Sequence, residues 1–233
     1  MMGDGRAENG EPVHQVNINY SFYMAKYEVT QAQWLAVMGR NPSYFSECGN
    51  NCPVDSIDFS EAQQFINKLN EMNDGFYYRL PTDAEWEYAC RAGTTGTYAG
   101  DVDAMAWYAN NSGMSFLNAD QITPNSGDYS QRLSENQNKT HPVGSKLPNS
   151  FGLFDMHGNV SEWAQDFYHD TYNGAPTDGS AWLSGGDQSL RVLRGGSWFN
   201  NAFNVRSANR IKPHSDRGGK DVGFRVAAVA RAQ

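Results

Sequence analysis

The chain has 233 residues, 39% of them hydrophobic and 13% aromatic, a composition that suits one large compact domain and excludes disorder. Its formal charge is −8 and its pI about 5.0. It has no Lys/Arg run, so it lacks the basic footprint of a nucleic-acid binder. No apolar run approaches the ~18 residues of a membrane span, and the opening "MMGDGRAENGEP" has no apolar signal segment. The expectation is a soluble chain without an export signal, cytoplasmic by default. Mean hydropathy is only −0.67, so the core is expected to rest on Trp, Tyr and Phe, which bury much area per residue.

In chain order, residues 13–29 alternate and are rich in Val, Ile and Tyr, which predicts one or two strands. Thr30, with Gln33 three residues on and then Trp34, Leu35, Val37 and Met38, is a capping-box start to a helix ending near Gly39. Residues 41–53 are a Pro/Asn/Ser-rich loop containing Cys48 and Cys52. This spacing fits either a small disulfide loop or two free thiols, and is a weak metal signal. A second helix follows, with Ser60 as its expected cap and Phe65, Ile66 and Leu69 as its apolar face. Tyr77 to Leu80 reads as a short strand, broken by Pro81. Thr82 then caps a helix that has Asp83 and Glu85 in its first turn, Trp86 and Ala89 facing inward, Cys90 buried, and its end at Gly93. Glu85 and Glu87 read as structural ahead of catalytic. Residues 94–150 look like one long loop region, and 151–233 like short strands and turns.

Seven phrases carry more than their local structure. They are "KYEVTQAQWLAVMGRNPSYF", "CPVDSIDFSEAQQFINKLN", "YRLPTDAEWEYACRAG", "THPVGSKLPNSFGLFDMHGNVSEW", "RVLRGGSW", "RSANR" and "GFRVA". In this order and spacing the chain resembles the formylglycine-generating enzyme/sulfatase-modifying-factor family across nearly its whole length, beginning at a Met2-Gly3 phrase like that family's opening. The resemblance implies an irregular, loop-rich α+β fold of the C-type-lectin type, with residues 1–233 as a single domain.

The family's catalytic members oxidise a substrate cysteine with two copper-binding cysteines placed just after the Gly-Gly-Ser phrase. Here that stretch runs from Trp198 to Asn204 without a cysteine, and none follows Cys90. Cu(I) needs thiolate or thioether ligands, so no copper is expected and no catalytic residue is assigned. His14, His141, His157, His169 and His214 are scattered, with no helical metal pair. In "HGNVSEW", Asn159 and Glu162 offer hard oxygens, and the resemblance implies a structural calcium there. A plain turn with a solvated Glu is the competing reading.

A narrower resemblance concerns 195–225. Variable proteins of diversity-generating retroelements use this fold. Their last stretch keeps a fixed framework around positions randomised through adenine-rich, Asn-type codons. Phe199, Asn200, Asn201, Phe203, Asn204, Ile211, His214, Ser215, Gly218, Gly219 and Asp221 all hold residues reachable in that way. Lys212 and Lys220 do not. Ordinary loop variation within the family would also fit. Apolar anchors among adaptable Asn side chains suit recognition, although both Phe could equally be core. The expectation is a non-catalytic protein that binds an unknown protein or other macromolecular ligand through residues 199–221. A family oxidase is the alternative, and an accessory domain of a larger assembly is a third reading.

Overall fold

The computed structural model describes residues 1–5, 12–123 and 126–231. Its elements are β1 (Tyr23–Met24), α1 (Gln31–Met38), α2 (Phe59–Glu71), β2 (Phe76–Arg79), α3 (Asp83–Arg91), α4 (Val102–Met105), α5 (Gly127–Glu135), β3 (Ser161–Tyr168), β4 (Asp187–Arg194), β5 (Val222–Gly223) and β6 (Ala227–Ala230). One three-stranded sheet runs β1-β6-β2 and is antiparallel throughout; the other runs β4-β3-β5. In the second sheet, Glu162 lies opposite Arg194 on one side and opposite Gly223 on the other. The C-terminal framework phrases therefore enclose β3.

The helices begin where cap chemistry dictates. Thr30 and Thr82 accept from the backbone N–H three residues on, and Gln33 and Glu85 reach back to complete each capping box. Gly39 takes the left-handed conformation that ends α1. The second helix starts earlier than Ser60. Its cap is Asp58, whose carboxylate accepts from the Glu61 N–H at 2.8 Å while Glu61 reaches back to the Asp58 N–H at 3.2 Å. Ser60 already lies within the first turn of this helix, which begins at Phe59.

α1, α2 and both sheets meet in the main core. Trp34 stacks on Phe65 at 5.4 Å, and Phe224 sets its edge against both, at 6.1 and 5.4 Å. Val54, Ile57, Leu80, Trp163 and Leu193 fill the surroundings. The expected aromatic core is present.

Residues 13–29 hold one strand, the lower of the one or two expected, and it is only the two residues of β1. The other partners of this stretch are loops that form no ladder: Met2 bridges His14, and the Asn17 N–H bonds the Thr177 carbonyl. One expectation needs correction. The 94–150 region is not all loop. α5 packs Tyr129 and Leu133, one helical turn apart, onto Ala109, Ala119 and Ile122.

Replacing Asp58 by Ala is expected to cost about 1 kcal/mol in chemical denaturation, whereas Ser60→Ala should be close to neutral. The reverse order would return the cap to Ser60.

Candidate functional site

The C-terminal segment is built on buried arginines. Arg194, fully buried at the end of β4, donates to Asp83, to Glu87 at 2.9 Å and to the Tyr172 hydroxyl at 3.0 Å. Its remaining donors bond the Ser207 and Asn209 carbonyls at 3.0 and 3.2 Å. Arg225 binds Glu162 at 2.6–2.9 Å and the carbonyls of Ala25 and Phe154 at 3.1 and 2.9 Å. Arg206 pairs with Asp4 at 3.1 Å, and Arg210 lies 3.8 Å from Asp83. One arginine from each of "RGGSW" and "GFRVA", and both from "RSANR", therefore hold the segment to the body of the protein.

The acidic residues of α3 are fully committed to this network. Glu85 takes Arg79 at 2.6 Å and the Tyr20 hydroxyl at 2.9 Å. Glu87 takes Arg91 and Arg194, both at 2.9 Å, and the Gly3 N–H at 2.8 Å. Their structural reading holds. Composition made the arginines visible, but nothing local in the sequence pairs Arg194 with acids 111 and 107 positions away.

After β4 the chain turns through Gly195 and Gly196, at φ +83° and +64°. A Cβ on Gly196 would stand 2.7 Å from the Asn204 carbonyl oxygen, so only glycine fits the turn. Beyond it, main-chain bonds fix the path. Asn200 O accepts from Ala109 N at 2.9 Å, and Ile211 and Leu193 exchange bonds at 3.0 Å. Ser215 N bonds Ser189 O at 2.8 Å, Gly219 O accepts from Ser56 N at 3.0 Å, and Asp221 O accepts from Ser161 N at 2.8 Å. None of these bonds depends on side-chain identity.

The eleven candidate positions fall into three groups. In the first, Phe199 is half-buried and packs edge-on to Tyr129 at 5.4 Å, as a lining of the small core under α5. Asn200 accepts from the Ser197 N–H and hydroxyl at 2.9 Å each, and Asp221 lies 3.3 Å from the same hydroxyl. In the second, Asn201 is buried and caps a single 3-10 turn, Ala202–Val205, by accepting from the Asn204 N–H at 3.2 Å. Phe203 is 37% exposed, with the Arg206 guanidinium 3.6 Å from its ring centroid. In the third, Ile211 is half-buried against the main core, His214 is exposed, and Ser215 is half-buried beside Ser189. Gly218 sits where any Cβ would meet the Ser56 backbone at 2.8 Å, whereas a Cβ on Gly219 meets first the flexible end of Asp221.

Other polar groups are internal. His157 is buried, with Nδ1 2.7 Å from the Val205 carbonyl and Nε2 3.1 Å from the Ala99 N–H, and burial lowers its pKa to about 4. Cys90 lies 3.6 Å from His157 Nε2, but burial pushes its thiol up to about 12 and keeps it from acting as a thiolate. Cys48 and Cys52 form a disulfide.

The expected calcium ligands are each taken up by protein partners. Asn159 accepts from the His141 N–H at 2.9 Å, and its amide donates to Glu28 at 2.7 Å. Glu162 takes Arg225 and, at 2.7 Å, the Trp86 indole N–H. No group of three or more His, Cys, Asp or Glu is placed to hold a metal among the described residues. The pair as expected does not fit a cation. Three buried carboxylates, Glu28, Asp155 and Glu162, lie within electrostatic range of one guanidinium, Arg225, which pairs directly with Glu162. Burial and the neighbouring acids raise Glu28 well above the carboxylate range, and burial lifts Asp155 to about 6. Both shifts run in the direction that lessens the negative charge held here, and Asp155 Oδ1 has no hydrogen-bond partner.

The sheets, helices and long loops define an irregular α+β protein of the C-type-lectin-like class. The chain belongs to the family described as the sulfatase-modifying factor enzyme 1-like domain, whose model matches residues 1–230. It is 31% identical to the chaperone protein LppX of Paenibacillus barcinonensis, over 88% of this chain and 79% of that protein. It is 32% identical to the formylglycine-generating enzyme of Streptomyces coelicolor over 76% of this chain, but covers only 52% of that enzyme's length. Among solved structures, variable protein 1 of Treponema denticola superimposes with a TM-score of 0.78 at 29% identity, covering 97% of this chain and 90% of its own. No helix among the described residues is long and apolar enough to cross a membrane.

Calcium and EDTA are expected to leave the thermal midpoint at pH 7 unchanged within about 1 °C, because bound ligand raises stability only where a site exists. A calcium-dependent rise would show that a cation balances the carboxylates around Arg225.

Proposed function

We propose that this chain is a non-catalytic ligand-binding protein whose recognition side chains lie within 199–221, and that the segment is diversified by a retroelement. The observation that carries this reading is a division of labour within the segment. Its backbone is held by main-chain bonds and by Arg194, Arg206, Arg210 and Arg225, while Phe203 and His214 present their side chains outward. A surface fixed in this way can change its side chains without changing its path. The likeness to the Treponema denticola variable protein supports the reading. So does the lack of any cysteine after Cys90, which leaves the place of the family's copper ligands without a thiolate.

Within the proposed set the positions are unequal. Phe203, Asn204, His214, Ser215 and Gly219 tolerate exchange, whereas Ile211 also packs against the main core. Asn200, Asn201 and Asp221 also shape the local turns, Phe199 also fills the small core, and Gly218 is restricted to glycine without a shift of the loop. The ligand is a protein or other macromolecule, engaged by an aromatic anchor among adaptable polar groups.

Phe203→Ala should change unfolding free energy by about 1 kcal/mol, the low end for a cation–π contact whose ring is part-exposed although its guanidinium is buried. Phe199→Ala should cost about 2 kcal/mol, below the fully buried Phe range. Sequencing the locus tests diversification itself. A near-copy of the 195–225 coding segment with adenines at the candidate codons, beside a reverse-transcriptase gene, is the expected result; a locus with neither removes the retroelement.

A further inference from the structure

A second site lies apart from residues 199–221. A groove of about 530 Å³ opens between α1, α2 and the β1-β6-β2 sheet, a volume in the range of about 300–1,000 Å³ that holds single small ligands. Val37 and Leu69 line it from the helices, and Tyr23, Phe76 and Tyr78 from the strands. Phe65 and Val226, at 3% and 8% exposure, belong equally to the main core. The groove is therefore an open side of that core. Tyr23 remains 60% exposed at its edge, and apolar surface left in water favours an apolar occupant.

The polar groups of the groove are mostly spent. Gln33 closes the capping box with the Thr30 N–H at 2.9 Å. Glu28 is fully buried and accepts from Asn159 at 2.7 Å and from the Val160 N–H at 3.0 Å. Lys26 differs. It is exposed, its ammonium stands 5.4 and 5.1 Å from the Tyr27 and Phe154 ring centroids, and it enters none of the ion pairs of the described residues. In a chain of net charge −8, an ammonium without a carboxylate beside an apolar groove is complementary to one kind of ligand, with an apolar body and a single negative end.

We infer that the groove between α1, α2 and the β1-β6-β2 sheet binds a monomeric acyl carboxylate, its chain along Val37, Leu69 and Tyr78 and its carboxylate at Lys26. The site is independent of the recognition surface proposed for 199–221, so either can fail alone.

The test is isothermal calorimetry on the full chain with dodecanoate below its micellar concentration, and with dodecanol as the uncharged control. Saturable one-to-one binding of dodecanoate is expected, with dodecanol weaker. Lys26→Glu should weaken dodecanoate about tenfold or more, since each tenfold change matches one modest charge contact. Ala36→Trp, an exposed substitution at the mouth, should abolish binding while the thermal midpoint stays in place. Absence of saturation would overturn the proposal. So would equal affinity for dodecanol with no effect of Lys26→Glu, or full binding by Ala36→Trp. Anionic vesicles and analytical ultracentrifugation form the remaining arms. Vesicle association or self-association that depends on the groove, without binding of monomeric dodecanoate, would assign it to a lipid surface or a second copy and overturn the inference.

Discussion

Arg194 determines much of this structure. A guanidinium removed from water is tolerable only where charged and polar partners replace the solvent, and Arg194 has them in Asp83, Glu87 and the Tyr172 hydroxyl. These interactions join the end of β4 to α3. They fix the point at which the Gly195-Gly196 turn begins and, through the Ser207 and Asn209 carbonyls, the return of the chain after the 3-10 turn. Arg225 repeats the arrangement on the other side of Trp86, whose indole shares Glu162. A fold with so little regular secondary structure needs such ties, because short strands and single turns hold few ladder hydrogen bonds.

The same ties explain how one segment can be rigid and open to substitution. Its path is set by groups that do not face solvent: buried arginines, main-chain bonds to Ser56, Ala109, Ser161 and Ser189, and a glycine pair that no other residue could replace. What is left outward is a small set of side chains with little structural duty. Where a candidate side chain does have such a duty, as with the Asn201 cap or the Asn200 bonds to Ser197, substitution carries a stability cost as well as a change of surface.

Local chemistry was legible in the sequence and distant pairing was not. The Thr30 capping box and the Thr82 cap lie within four residues of sequence and are legible there, although the sequence reading takes Glu85 only as a first-turn acid and not as the partner that closes the Thr82 box. Asp58 and Ser60 are both capping residues with a Glu or Gln three positions on, Glu61 and Gln63, so the local pattern fits either, and only the packing of the helix selects Asp58. α5 was missed because its apolar face consists of two residues, Tyr129 and Leu133, too few to mark a period. Residues 13–29 alternate like a strand, yet a strand needs a partner, and most of theirs are loops. The family phrases located the C-terminal segment, but whether Phe199 points inward and Phe203 outward depends on Tyr129 and Arg206, which only the fold brings close. Glu162 looked like an oxygen ligand because Arg225, 63 residues on, could not be placed beside it.

The central claim is that buried arginines, and not the outward side chains of 199–221, hold this segment in place. Urea unfolding of two variants tests it most directly: a combined Phe203→Ser, His214→Tyr and Ser215→Asn exchange, and Arg194→Met. The triple variant should stay within about 1 kcal/mol of the parent, as surface substitutions do. Arg194→Met should lose about 3–5 kcal/mol, because the guanidinium between Asp83 and Glu87 is removed from a buried site, leaving Glu87 with Arg91 and Asp83 with only the more distant Arg210. A triple variant that unfolds as readily as Arg194→Met would contradict it.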